Sequence, residues 1–103
     1  MREKKKEYLK QYLLQEAKIS RLQTMAELNP EKKGEYDRLI QGAINLRREI
    51  EEKIAAVDGG ILSELLFQKY VFGRTLDDIS CILNYSPRHI ERLHIKALEK
   101  FNM

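Results

Sequence analysis

The chain has 103 residues, 43% of them hydrophobic and 34% charged, with a formal net charge of +3: enough for one modest core, or one domain with an appendage. No apolar run approaches the roughly 18 residues of a membrane span, and MREKKKEYLKQYLL lacks the apolar centre and small-residue cleavage site of a secretory leader, so a cytoplasmic protein without a membrane partner is expected. A single cysteine, Cys81, excludes an internal disulfide, and with only His89 and His94 in the chain no zinc-ligand set is expected.

Two prolines, five glycines and long runs of Glu, Lys, Leu and Ile favour an all-α fold. In residues 4–28, Tyr8, Tyr12, Ile19, Leu22 and Ala26 recur at three- and four-residue steps, the pattern of a long amphipathic helix. Asn29-Pro30 ends it or opens the next, because a residue before proline avoids the α region and proline suits a first helical turn. A second pattern covers 31–57, with Tyr36, Leu39, Ala43, Leu46, Ile50 and Val57 on a stripe that Ile40, Ile44 and Ile54 widen. Two such helices joined at Asn29-Pro30 predict an antiparallel helical hairpin or coiled coil over 1–57, an oligomerisation segment that closes on itself or pairs with a second copy in a homodimer. Lys4-Lys5-Lys6 and Lys10 read as a solvated basic end, with DNA backbone or an acidic protein surface as the alternative.

Asp58-Gly59-Gly60 breaks the helical pattern and divides 1–57 from a second unit at 61–103. Residues 61–72 predict a short helix burying Leu62, Leu65, Leu66 and Tyr70, stopped by Gly73. Thr75 suits an N-cap, with Asp78 as the acidic member of a capping box, so a new helix begins at 76. It should turn Ile79, Ile82 and Leu83 inward, place small Ser80 at a close helix approach, and leave Cys81 semi-buried. Asn84 tolerates the left-handed conformation that a tight turn needs. Tyr85 should pack under that turn, Ser86 should cap the next helix, and Pro87 fits its first turn. Over 87–101, Ile90, Leu93, Ala97, Leu98 and Phe101 face inward. Two short helices across a brief turn are the requirements of a helix-turn-helix.

The outward face of helix 87–101 carries Arg88, His89, Glu91, Arg92 and Lys96. Arginine can donate two hydrogen bonds to guanine O6 and N7, and a glutamate can accept from a cytosine amino group or orient an arginine. Capped helix starts with free N–H groups favour phosphate. The DNA-contacting set expected is therefore Thr75, Ser86, Pro87, Arg88, His89, Glu91, Arg92 and Lys96; the alternative is a merely solvated helix face. His89 and His94 do not share a helical stripe, which argues against metal or acid–base work, and His94 should pack or hydrogen-bond at the helix edge. No paired carboxylates, phosphate-binding glycine loop or nucleophile with a companion base is present. No enzyme, cofactor, metal or small-molecule substrate is expected.

Tyr70, Gly73-Arg74-Thr75, Asp78-Ile79-Ser80, Leu83-Asn84-Tyr85-Ser86, His89-Ile90, Arg92-Leu93-His94 and Ala97-Leu98 together resemble region four of bacterial sigma factors, which reads the promoter −35 element. NYSPRHIERLHIKAL is closer to the pattern NYS-x-RH-x-x-R-L-H-x-x-AL of short phage and prophage proteins of Gram-positive bacteria that join a coiled coil to a region-four-like helix-turn-helix; ArpU-type late-gene regulators are related in plan. The resemblance is specific over 61–101 and architectural over 1–57. Leu76 stands where that family often has Trp, Ser80 where it often has Ala, and Gln68 where it often has a basic residue. The resemblance implies sequence-specific binding of double-stranded DNA in transcription regulation, together with RNA polymerase as a further partner. No promoter-melting region is expected in a chain of this length.

Two other readings stand beside a phage-type transcription regulator. One is a protein-interaction adaptor that docks on RNA polymerase or another host protein with incidental DNA contact, and the other is a packaging-type DNA recogniser of the same fold.

Overall fold

A computed structural model describes residues 2–103, which form helices and no strand. In chain order these are α1 (Arg2–Leu28), a 3-10 turn (Pro30–Lys32), α2 (Lys33–Ala55), α3 (Gly60–Leu66) running into a π-helical turn (Phe67–Val71), α4 (Leu76–Leu83) and α5 (Pro87–Lys100). The molecule is elongated, 52 × 25 × 21 Å. None of the described helices is long and apolar enough to cross a membrane.

The break at Asn29-Pro30 has the expected cause: Asn29 leaves the helical region at φ −131°, ψ 74°, and Pro30 opens the 3-10 turn. α geometry begins only after this turn, at Lys33, with Gly34 inside the first turn of α2. α1 and α2 then run antiparallel. Tyr8 Oη donates to Glu49 Oε2 and Tyr12 Oη to Glu51 Oε1, both at 2.5 Å, and Arg47 reaches Glu16 at 3.4 Å while lying over the Tyr12 ring. Burial and the Glu51 carboxylate push the Tyr12 phenol up to about 12, so the hydroxyl stays protonated and donates.

Burial is uneven along this pair. Leu9, Tyr12, Ile50 and Ile54 join Val57, Leu62, Leu66, Tyr70, Ala97, Leu98 and Phe101 in one core cluster, so the start of α1 and the end of α2 pack directly on α3 and α5. Toward Asn29 the pair thins: Leu28 and Leu39 are exposed, and the expectation that Leu39 belongs to the buried stripe does not hold. With only one neighbouring helix there, a residue slightly off the facing line has nothing to cover it.

Val57 closes the end of α2, and Gly59, at φ +90°, turns the chain into α3. The end of α3 widens: Phe72 N donates to Phe67 O, a five-residue step, and Arg74 N reaches back to Gln68 O across Gly73 at φ +72°. The glycine stop expected there therefore forms around a turn one residue larger than an α-helical end.

Candidate nucleic-acid interface

α4 and α5 are each started by a side chain. Thr75 Oγ1 accepts from Asp78 N at 3.1 Å, and Ser86 Oγ accepts from His89 N at 3.2 Å with Pro87 in the first turn. Each replaces a hydrogen-bond acceptor that a helix start lacks. Between them Asn84 is the only non-glycine at positive φ among the described residues (φ 61°, ψ 45°), and Tyr85 N donates to Ser80 O at 3.0 Å. This six-to-one closure ends α4 and reverses the chain within three residues.

The inner faces meet on Leu65, Ile79 and Ile90, with Leu76, Leu83 and Leu93 packed around them. Ser80 is buried and its Oγ donates to Asp77 O at 2.7 Å, which satisfies the hydroxyl without spacing the helices apart. Three expectations fail at this unit. Ile82 is 47% exposed, because Leu76, Ile79 and Leu83 already form the inward line of α4 at steps of three and four, and Ile82 falls beside it. Cys81, its neighbour, is exposed and not semi-buried. Tyr85 is also exposed, its ring lying 5.0 Å from that of His89 and not beneath the turn.

The expected contact residues lie at the start of α4 and along α5. Thr75, Ser86, Pro87, Arg88, Glu91, Arg92 and Lys96 are exposed, and His89 is half-buried against Tyr85. Arg88, Glu91, Arg92 and Lys96 share the outer face of α5 at helical three- and four-residue steps. Among the described residues none of these four forms an ion pair, so Glu91 does not pair with either arginine. Two residues join the surface that the sequence reading left out of the set. Ile95 is 41% exposed between Arg92 and Lys96 on the same face, and Arg74 is exposed directly before the Thr75 cap. The same helical spacing that assigned Lys96 would have found Ile95.

The opposite side of α5 is fastened. His94 is buried and bonded to Tyr70 at 2.8 Å. Burial, reinforced by the charges of Lys69 and Lys6, pulls its imidazole down to about 4, leaving it neutral at physiological pH. At the C-terminal end Lys5 Nζ donates to Leu98 O at 2.8 Å and to Glu99 O at 3.3 Å, placing a cation where the helix dipole is negative. Lys5 is thus half-buried at a helix end, which corrects the reading of 4–6 as uniformly solvated. Among the described residues no group of three His, Cys, Asp or Glu side chains is arranged to hold a metal ion.

Comparison with known proteins finds no matching family model, no matching curated protein and no matching solved structure.

Proposed function

We propose that the protein binds double-stranded DNA sequence-specifically and regulates transcription, with α4–turn–α5 as a sigma region-four-like helix-turn-helix and α5 as the element that enters the major groove. The observation that carries this reading is the division of α5: Ile90, His94, Ala97 and Leu98 are buried, while Arg88, Arg92 and Lys96 stand outward without ion-pair partners. Unpaired arginines on a capped, rigidly docked helix suit guanine edges, and Ile95 between them suits a thymine methyl. Arg74 and the capped start of α4 suit the adjacent phosphates.

In this reading α1 and α2 form a helical hairpin that holds α5 from behind. A second copy meeting through 1–57 would present two readers, and the DNA site would carry half-sites about one helical turn, or a multiple, apart. The phage or prophage family rests on the residue resemblance of 61–101, and RNA polymerase is the protein partner it suggests.

One observation favours the adaptor as the second reading. Ile82, Tyr85 and Ile95 put sizeable apolar surface on the α4–α5 unit, and such surface serves a protein contact. Selection from a random duplex pool at physiological salt, run with wild type and Arg88→Ala/Arg92→Ala, separates the two. Enrichment of one motif by wild type alone is the expected result; no enrichment by wild type moves the assignment to the adaptor.

A further inference from the structure

Outside the outer face of α5, charge also gathers in an open groove of about 470 Å³ where α1, the π-helical turn and the start of α4 meet. Its walls include Lys10 from α1, Lys69 from the π-helical turn, and Arg74 and Thr75 from the approach to α4; Asp77 is the only carboxylate among its lining residues. Three cations thus face one acid, and none of the three makes an ion pair among the described residues.

Two features of the fold force this gathering. Gly73 at φ +72° lets the chain pass so close to α1 that a Cβ there would stand 3.3 Å from Leu13 Cδ1. The loop bearing Arg74 therefore lies against the α1 turn bearing Lys10 and Leu13. Widening of the α3 end through the Phe72–Phe67 and Arg74–Gln68 bonds sets Lys69 on the same wall, its ammonium 5.7 Å from the Tyr70 ring. Lys6 adds its charge from one turn earlier in α1, partly offset by Glu3 at 3.6 Å. Burial, and after it the charges of Lys10 and Lys6, lowers the Lys69 pKa. Such a cluster costs folding free energy unless something anionic offsets it.

We infer that this groove seats a phosphodiester of the DNA backbone, making α1 part of the DNA-binding surface through Lys10 beside Lys69 and Arg74. The inference rests on the DNA-binding reading and extends it: the long helix does not merely support the reader but adds phosphate contacts beside the α4 start. A phosphate is the anion that fits, since the ammonium groups of Lys10 and Lys69 and the guanidinium of Arg74 line one groove beside the start of α4. Base-edge readout has no part in it, because such contacts position a protein without carrying sequence information.

The test measures binding of a mixed-sequence duplex across a salt series with wild type, Lys10→Gln/Lys69→Gln and the single variant Lys10→Glu. Lys10 is exposed, so the single variant folds even if Lys69→Gln disturbs the π-helical turn, and circular dichroism checks both. Loss of this phosphate contact should flatten the slope of log K against log salt by about one, and Lys10→Glu should weaken binding more at low salt than at high salt. Wild-type binding with an unchanged slope in both variants overturns the groove and leaves α5 as the reader. Absence of any duplex binding by wild type instead overturns the DNA reading itself. Pyrophosphate titrated against the amide resonances of Arg74 to Asp77 then decides the groove: saturable shifts retain it as a phosphate site, and none removes it.

Discussion

Tyr70 and His94 meet in a 2.8 Å hydrogen bond that joins the π-helical turn to the buried side of α5. His94 is 6% exposed and held down to about 4 against its ordinary 6.5, while burial pushes the Tyr70 phenol up to about 12. Both rings are therefore neutral at pH 7, and the bond links two neutral groups. In the unfolded chain His94 takes up a proton near pH 6.5, whereas in the folded chain it resists protonation until about pH 4. Stability should be flat above pH 7 and should fall as pH drops from 6.5 toward 4, by about 2 kcal/mol at pH 5. Urea unfolding at pH 7.5 and pH 5.0 checks this, and His94→Gln should remove most of the difference.

Tyr70→Phe at neutral pH leaves the imidazole buried with one nitrogen unpartnered. The cost should be about 1–3 kcal/mol, with the pH dependence retained because burial, its largest cause, persists. Retention of wild-type stability in that variant would mean the bond contributes nothing net.

Lys5→Met keeps the aliphatic stem and removes the donor to Leu98 O and Glu99 O. A loss of about 0.5–1.5 kcal/mol is expected. Faster hydrogen exchange should be confined to the last turn of α5 and to Phe101, whose amide bonds to Ala97 O and Leu98 O. Uniformly faster exchange across the chain would contradict a local fastening.

Asn84→Gly should be neutral or slightly stabilising, since glycine enters φ 61°, ψ 45° without penalty, while Asn84→Ala should cost about 1 kcal/mol through left-handed strain. Chemical denaturation of the two variants ranks them. Equal stabilities would mean that the turn relaxes out of the left-handed region.

Arg88→Ala and Arg92→Ala should each leave the melting temperature within experimental error, because both side chains are exposed and unpaired among the described residues. On the selected duplex each should weaken binding by about 1–3 kcal/mol and relax preference at one base position. Fluorescence anisotropy at fixed salt reads both effects.

What was legible in the sequence was mostly the punctuation. Pro30, Gly73, Thr75, Asn84, Ser86 and Pro87 act on their own backbone or their neighbours', so their roles follow from residue type alone. Faces were harder. In α1 the buried line runs through Leu9, Tyr12, Gln15, Ile19 and Leu22, and a buried glutamine bonded to Gln11 sits where an apolar residue would be sought. Ile82 and Ile95 look like core residues in a list of apolar positions, yet each lies on the side where no other helix packs. The π-helical turn left no mark, because a five-residue hydrogen-bond step requires no particular side chain. The basic groove was out of reach for a different reason: Lys10, Lys69 and Arg74 come together only through the packing of three elements.

The turn at Asn29–Lys33 offers a practical handle. α1 is 27 residues long, so this turn lies roughly 40 Å along the helix from its start, and residues 30–35 are exposed. An affinity tag, a fluorophore or a short inserted domain placed there would hang from the far tip of the molecule, clear of α5, and leave both ends of the chain untouched.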